Sequence, residues 1–234
     1  MPIFHLTDAI SFPPVEFATE EGILAVGGDL SPERLLKAYS LGIFPWYNEG
    51  EPILWWSPDP RFVLFPEEVY VSKTMRQVLR RGIFRIRCDQ SFDEVVERCR
   101  GPRKKQRGTW ITPEMRDAYR NLHELGFAHS VEAWRDGHLA GGLYGVSLGG
   151  CFFGESMFSD ESNASKTALI SLALRLREIG FLVIDSQVYT AHLESLGARE
   201  IRRDEYLEIL RRGLEMPTRR GSWEHLLEEE PAIP

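Results

Sequence analysis

The stretch that decides the fold runs from residue 128 to residue 158 and reads AHSVEAWRDGHLAGGLYGVSLGGCFFGESMF. Two strand-like runs, 128–134 and 138–146, flank Asp136-Gly137, a pair typical of two-residue hairpin turns. A third run follows at 151–158, after Gly149-Gly150. We therefore predict a three-stranded antiparallel meander at the centre of the protein.

Helix and strand signals alternate on both sides of the meander. Hydrophobic spacing, helix caps and glycine stops define the elements, and residues 91–94 (SFDE) predict a capping box at the start of a helix. Before the meander we predict strands at 62–65 and 84–87 and helices at 73–81, 91–100 and 112–125. After it we predict helices at 164–178, from 190 onward and at 203–212, and strands at 181–185 and 198–201.

The first 61 residues are rich in proline, glycine and tryptophan. One helix is clear there, with Ser31 as its N-cap, Pro32 at its first position and Gly42 after its end. The prolines of the stretch 53–61 predict an ordered aromatic linker that holds no regular central strand. We therefore divide the chain into a small N-terminal domain, residues 1–61, and a larger one, residues 62–234.

Composition indicates a folded protein whose charge is unevenly distributed along the chain, with a basic segment that a polyanion could approach. The net charge is −7, yet residues 72–107 hold twelve basic and four acidic side chains, so that segment carries +8 and the remainder −15. Lys and Arg bind nucleic-acid phosphates by releasing counterions, although a charge run is equally compatible with a solvated face. The average charge therefore does not exclude a nucleic-acid partner.

Other features narrow the class of protein. Three scattered cysteines fit neither a disulfide framework nor a thiolate zinc site, and the histidines show no metal-binding spacing. No apolar stretch approaches the length of a membrane span. We expect a cytoplasmic protein with no metal, no organic cofactor and no membrane contact, and the sequence shows no coiled coil that would oppose a monomer.

Three polar residues stand out as candidates for chemistry. Asp185 and Gln187 lie two positions apart on one face at the end of a buried strand. Glu155 lies among apolar residues and would share a face with Met157. The alternatives are structural: a satisfied strand end for Asp185, and an ion pair with a neighbour such as Lys166 for Glu155.

The order of elements resembles the GCN5-related N-acetyltransferase fold, which predicts a mixed α/β (α+β) protein. In that fold a glycine-rich loop after the third meander strand holds the pyrophosphate of acyl-CoA on backbone N–H groups. Here the loop is 159–163, with no glycine and two carboxylates, Asp160 and Glu161. We therefore expect an acyl donor other than acyl-CoA.

Five ordered strings extend the comparison to a family: GGDL at 27–30, GIFPW at 42–46, ILWWSPDPR at 53–61, GTWIT at 108–112 and FGESMF at 153–158. Together they resemble the bacterial leucyl/phenylalanyl-tRNA-protein transferases. The resemblance implies transfer of leucine or phenylalanine, with methionine as a further possibility, from aminoacyl-tRNA to the N-terminal Arg or Lys of acceptor proteins. That transfer marks the acceptor for N-end-rule degradation and implies no cofactor.

The resemblance also implies the site. It assigns catalysis to Asp185 and Gln187, with Glu155 nearby, and the acceptor stem to Lys73, Arg76, Arg80 and Arg81. It places the terminal adenosine and the aminoacyl side chain against Tyr39, Trp46, Trp110, Tyr119, Leu143, Met157 and Leu169. Selection of leucine or phenylalanine would need an apolar pocket, to which we also assign Phe152. Aromatic rings can stack on bases, although most aromatic side chains are core.

Chemical reasoning predicts a positioning mechanism. An aminoacyl ester is already activated, and the Gln187 carbonyl can accept a hydrogen bond from the attacking amine while Asp185 orients Gln187. The sequence shows no activated Ser or Cys, so we expect no covalent acyl-enzyme intermediate. Either Glu155 or Asp185 would be able to bind the basic side chain of the acceptor. The alternatives are an acyl-CoA-dependent N-acetyltransferase and a non-catalytic RNA-binding protein.

Overall fold

A computed structural model describes residues 3–101 and 111–227. The N-terminal part forms a four-stranded sheet in the order β1-β2-β4-β3 and one helix. The strands are β1 Phe4–Leu6, β2 Ile23–Gly27, β3 Phe44–Pro45 and β4 Leu54–Trp56, and the helix is α1 Pro32–Ser40. Ser31 Oγ accepts the Arg34 backbone N–H at 3.4 Å, so the predicted N-cap is confirmed.

The expectation of a linker without a regular strand at 53–61 was wrong. β4 occupies a central place in the first sheet, between β2 and β3. Pro52 and Pro58 lie on either side of the strand and remove no N–H from its ladder. Within it, Trp55 is fully buried and its indole N–H donates to the Gly27 carbonyl at 2.9 Å.

The larger part is built on a seven-stranded mixed sheet in the order β11-β5-β10-β9-β8-β7-β6. Its strands are β5 Arg61–Leu64, β6 Arg85–Cys88, β7 Ala128–Arg135, β8 His138–Leu148, β9 Cys151–Ser159, β10 Val183–Gln187 and β11 Arg199–Ile201. The predicted meander is β7-β8-β9, and Asp136 and Gly137 both have positive φ, as its two-residue turn requires. The predicted mixed α/β class is confirmed.

Helices cover this sheet as the sequence predicts. They are α2 Lys73–Arg80, α3 Phe92–Arg100, α4 Pro113–Glu124, α5 Ala164–Glu178, α6 Ala191–Glu194 and α7 Arg203–Leu214. The predicted capping box at the start of α3 was wrong, because the Ser91 side chain forms no cap hydrogen bond. Instead Glu132 Oε1, from the neighbouring strand β7, accepts the N–H groups of Gln90 and Ser91 at 2.9 and 2.7 Å.

A bulge between β8 and β9 changes which side chains share a face. The register shifts at Tyr144/Gly145. A Cβ at position 145 would lie 2.2 Å from the Phe153 carbonyl oxygen, so the close approach requires glycine. Past the bulge Met157 packs with the second core cluster, whereas the two tyrosines that bind Glu155 belong to the first. The expectation that Glu155 and Met157 share a face was therefore wrong.

β9 and β10 separate where the site lies. They run parallel and pair only as far as Asp185 opposite Phe153. Beyond that point Gln187 adopts a left-handed φ of +65° and the pairing of β10 with β5 shifts register. β9 continues to Ser159, so its second half has no β10 residue beside it.

The two parts of the chain share one core. The first sheet ends at Trp56 and the second begins at Arg61, but Tyr39 and Trp55 belong to the same buried cluster as Tyr119 and Phe153. The domain boundary at residue 61 therefore stays a prediction. None of the helices in the described parts of the chain has the length and apolar character needed to cross a membrane.

Candidate active site

Glu155 is the centre of a buried hydrogen-bond cluster. Its Oε1 accepts the hydroxyl of Tyr39 at 2.7 Å and the side-chain amide of Gln187 at 2.9 Å, and its Oε2 accepts the hydroxyl of Tyr119 at 2.6 Å. Lys166 does not pair with it and donates to the Ser195 hydroxyl instead. Burial raises the pKa of the Glu155 carboxyl to about 7, against the lowering effect of the two tyrosine hydrogen bonds.

The protons of this cluster can be counted. The hydroxyl oxygens of Tyr39 and Tyr119 lie 2.7 Å apart, so three short O···O contacts close a ring with the Glu155 carboxyl. Three contacts need three protons, and the two tyrosines supply two of them. Burial raises the pKa of both tyrosines, so neither ionises near neutral pH. With Glu155 ionised, both tyrosines donate to it and the contact between their hydroxyl oxygens has no proton. A Glu155 protonated on Oε2 completes the ring, because Oε2–H donates to Tyr119, Tyr119 donates to Tyr39 and Tyr39 donates to Oε1.

Asp185 is fully buried and bound on all sides by the protein. Its Oδ1 accepts Nε–H of Arg61 at 2.8 Å and the backbone N–H of Gln187 at 3.0 Å. Its Oδ2 accepts Nη2–H of Arg61 at 2.7 Å and the hydroxyl of Tyr206 at 2.7 Å. Two carboxylate oxygens offer about four lone-pair positions, and these four bonds use them. Asp185 therefore orients its neighbours and has no free lone pair for a substrate.

Gln187 is held at both ends. Its backbone N–H is bound by Asp185 and its side-chain NH₂ by Glu155. Its left-handed backbone is uncommon for a residue with a side chain, and such conformations cluster at functional sites. No donor among residues 3–101 and 111–227 reaches its carbonyl Oε1, so this oxygen can accept a hydrogen bond from a ligand.

The predicted substrate-binding residues divide between the two faces of the large sheet. Tyr39 and Tyr119 lie with Glu155 on one face. On the other face Leu143 lies directly opposite Met157, and the same cluster contains Phe152 and Leu169. Of these four apolar residues only Met157 is partly exposed.

The predicted tryptophans are only partly described. Trp46 is 37% exposed, and its ring lies against that of Trp56 with centroids 5.5 Å apart. Trp56 Nε1–H donates to the Trp46 carbonyl at 2.7 Å, which fixes the loop that carries the exposed ring. Trp110 lies outside the described residues.

Among the described residues of the basic segment, some cations are free to bind a polyanion and others are paired within the protein. On and just after α2, Lys73, Arg80 and Arg81 are exposed and Arg76 is half-buried, and none has a carboxylate within 4.0 Å among the described residues. On α3, by contrast, Arg98 pairs with Glu94 and Asp160, and Arg100 pairs with Glu97. The exposed Arg85 at the start of β6 extends the unpaired set. The four cations at 103–107 lie outside the described residues.

Two of the backbone N–H groups in the loop after β9 are already bound within the protein. The N–H groups of Asp160 and Glu161 both donate to the Ala140 carbonyl, at 2.9 and 3.1 Å. The Glu161 carboxylate binds Arg135 and His138 at 2.8 and 2.7 Å. These two N–H groups and the Glu161 carboxylate are therefore engaged within the protein, and the expectation of an acyl donor other than acyl-CoA stays a prediction.

Sequence reasoning missed Arg61 and Tyr206, which bind Asp185 from positions 124 and 21 residues away. The string ILWWSPDPR contains Arg61, but nothing in the spacing indicates its partner.

Comparisons with known proteins agree along the chain. A family model described as leucyl/phenylalanyl-tRNA protein transferase matches residues 63–211, and a model of that family's N-terminal domain matches residues 28–59. A leucyl/phenylalanyl-tRNA–protein transferase of Syntrophus aciditrophicus is 61% identical over 224 residues, which cover 95% of this chain and 94% of that protein. One from an Anaeromyxobacter species is 56% identical over 233 residues and 99% of both chains.

Among solved structures, L-PGS from Bacillus licheniformis matches with a TM-score of 0.38 and 13% identity. The match covers 74% of this chain and 57% of that one.

Proposed function

The chain belongs to the leucyl/phenylalanyl-tRNA protein transferase family, and we propose that Gln187, held by Glu155 and Asp185, positions the acceptor amine for aminoacyl transfer. The protein is an aminoacyltransferase that takes its aminoacyl group from tRNA and transfers it to proteins. The observation that carries the proposal is the fixed Gln187 side chain, whose NH₂ is bound by Glu155 while its carbonyl stays available.

The reaction needs placement more than activation. The neutral amine of the acceptor attacks the ester carbon of aminoacyl-tRNA, a C–N bond forms, and the bond from that carbon to the ribose oxygen breaks. The amine loses one proton and the leaving ribose oxygen takes up one, so the reaction neither consumes nor releases a proton overall. An amine with a pKa near 8 is neutral about a tenth of the time at pH 7, so a group that orients its lone pair is sufficient help.

Gln187 suits this role because an amide carbonyl accepts a hydrogen bond without taking the proton. An amine N–H bound to Oε1 would have its lone pair directed away from the amide and toward the ester. The pairing of β9 with β10 ends at Asp185, and we place both substrates beside the part of β9 that follows. Because Asp185 is saturated by Arg61, Tyr206 and Gln187, we assign it an orienting role and not that of a partner for the acceptor's basic side chain.

We infer leucine or phenylalanine as the transferred residue, with methionine accepted in part. Met157 supports this, because it is the partly exposed member of the apolar cluster and a flexible thioether adapts to two side-chain shapes. Discrimination by such contacts is limited to about 1 to 3 kcal/mol per methylene. We assign the terminal adenosine to Trp46, which is 37% exposed, and the acceptor stem to the unpaired cations of α2. Tyr39 and Tyr119 are fully buried with their hydroxyls bound to Glu155, so we assign them to the support of Glu155.

We infer an acceptor with N-terminal Arg or Lys, which the transfer marks for N-end-rule degradation. The charge of −15 outside the basic segment favours the approach of a cationic acceptor. Because its substrate is aminoacyl-tRNA, we place the protein in the cytoplasm. We infer a monomer, since the sequence shows no coiled coil that demands a partner.

The decisive experiment uses purified protein, labelled Leu-tRNA and two peptides that begin with Arg and with Gly. We expect label on the Arg peptide only. Alanine at Gln187 should lower the rate of transfer about a hundredfold, to a measurable residual rate, and leave tRNA binding intact. Label on both peptides would contradict the acceptor assignment, and a burst of acyl-enzyme with free tRNA in equal amount would contradict direct attack by the amine.

A further inference from the structure

Arg61 is buried in the catalytic part of the molecule at 1% exposure. Its guanidinium forks onto the two oxygens of Asp185 at 2.8 and 2.7 Å. The same group lies between two rings, with its Cζ 4.7 Å from the centroid of Phe44 in the first sheet and 4.7 Å from that of Tyr206 in α7. The ion pair is thus clamped by elements from both ends of the chain.

Such a pair is costly to bury, so its presence calls for a purpose. The desolvation of two charges often cancels their attraction, and well-packed apolar residues of the same volume would serve stability at least as well. Apolar residues cannot, however, fix the orientation of a carboxylate. A planar guanidinium with two parallel hydrogen bonds fixes the plane of the carboxylate.

The oriented Asp185 carboxylate in turn fixes the backbone of Gln187. Asp185 Oδ1, fixed by Arg61 Nε, also accepts the backbone N–H of Gln187 at 3.0 Å. That bond lies at the register shift between β10 and β5, where Gln187 takes its left-handed conformation. A carboxylate free to rotate would leave this conformation without its anchor.

We propose that Arg61 is a positioning residue for aminoacyl transfer, which acts through Asp185 to hold the carbonyl of Gln187 where it meets the acceptor amine. The proposal rests on the function proposed above. Arg61 does not touch the substrates, and its effect is on the rate of transfer and not on the binding of tRNA.

The first test is Arg61→Lys, which keeps the charge but replaces the planar fork with a point charge. We expect kcat to fall about tenfold or more, while KM for Leu-tRNA stays within about twofold. The matched control is Arg34→Lys. Arg34 is also fully buried and pairs with Asp29 at 3.2 Å, but in the N-terminal part of the chain. It should lower Tm and leave kcat near that of the natural protein.

A double-mutant cycle separates positioning from a general structural role. If Arg61 acts through Gln187, Arg61→Lys should change the residual kcat by less than about twofold once Gln187 is alanine. The same tenfold loss in both backgrounds would overturn the proposal, as would an unchanged kcat in Arg61→Lys. Absence of transfer by the natural protein would instead refute the proposed function.

If Arg61→Lys does not fold, a second variant provides the test. Tyr206→Phe keeps the ring beside the guanidinium and removes one of the four hydrogen bonds to Asp185. It should lower kcat less than Arg61→Lys does, again only when Gln187 is present. An equal loss of kcat in the Gln187→Ala background would contradict the proposal that Arg61 positions Gln187 through Asp185.

Discussion

At the scale of single residues, the three carboxyl and amide groups of the site differ in what they can still bind. All four lone-pair positions of Asp185 are used by protein donors, and the Glu155 oxygens face two tyrosines and Gln187. The Gln187 carbonyl is the acceptor that remains. We therefore expect the cluster to contact the substrate through the Gln187 carbonyl, while Glu155 and Asp185 hold Gln187 in place.

The protonation of Glu155 predicts a pH-dependent stability. The carboxyl pKa of about 7 in the folded protein lies above its ordinary value of 4.5. Between these values the folded state holds a proton that the unfolded state lacks, so the stabilisation is fully present below pH 4.5 and is lost as pH rises through 7. At about 1.4 kcal/mol per pH unit, the loss amounts to about 3 kcal/mol.

Glu155→Gln should remove this contribution, since an amide does not titrate. We expect the difference in unfolding free energy between variant and natural protein to shift in favour of the variant as pH rises through the window. Urea unfolding at about pH 5 and about pH 7.5 measures it. A difference that is the same at both pH values would show that Glu155 is already ionised below the window.

The sequence identified Asp185, Gln187 and Glu155 because a polar residue in an apolar strand is unusual. It did not identify Arg61 or Tyr206, since an arginine after two prolines and a tyrosine on an amphipathic helix are ordinary. Their importance comes from contacts 124 and 21 positions apart, which no local pattern contains. The face of Met157 was missed for a related reason, because a one-residue bulge reverses the alternation that follows it.

At the scale of elements, the C-terminal segment after α7 is part of the core although no regular element was predicted there. Trp223 is 4% exposed, and its ring stacks on that of His129 with centroids 3.9 Å apart. Its backbone N–H donates to Asp89 Oδ2 at 2.7 Å, and the same oxygen lies 2.9 Å from His129 Nδ1. The segment thus joins the end of β6 to the start of β7.

Trp223→Ala should therefore destabilise the fold strongly. Loss of a buried tryptophan costs about 3 to 5 kcal/mol. Tyr70→Ala, at a side chain that is 58% exposed, is the control and should change stability by less than about 0.5 kcal/mol. Thermal unfolding of both variants measures the effect. Equal Tm values would mean that the segment is not docked in solution.

Two helices that both carry exposed arginines are predicted to differ in function. Arg80 on α2 has no carboxylate partner among the described residues, whereas Arg98 on α3 binds Glu94 and Asp160. Arg80→Ala should weaken tRNA binding and reduce the magnitude of its salt slope by about 1, because one phosphate contact is lost. Arg98→Ala is the matched control and should leave the slope unchanged. Equal slopes for both variants would remove α2 from the RNA-binding surface.

At the scale of the whole molecule, the site lies where two sheets meet. The first core cluster contains Tyr39 from α1 and Trp55 from the N-terminal sheet, together with Tyr119 and Phe153 from the larger part. The sequence predicted the order of elements in the larger sheet, because local periodicity and turns determine it. It could not predict that α1 supplies a tyrosine to Glu155 on β9, since that contact depends on how the two parts pack.

The charge distribution predicts how salt affects binding. If the net charge of −7 governed the encounter with tRNA, added salt would screen repulsion and raise affinity. If the unpaired cations on and after α2 govern it, salt competes with them and lowers affinity. With about four phosphate contacts, log K should fall against log salt with a slope of about 3 to 4 in magnitude. Titration of labelled tRNA at several salt concentrations decides between the two, since they differ in sign. A slope near zero or a positive one would exclude the α2 surface, whereas a steeper fall would require cations beyond these four.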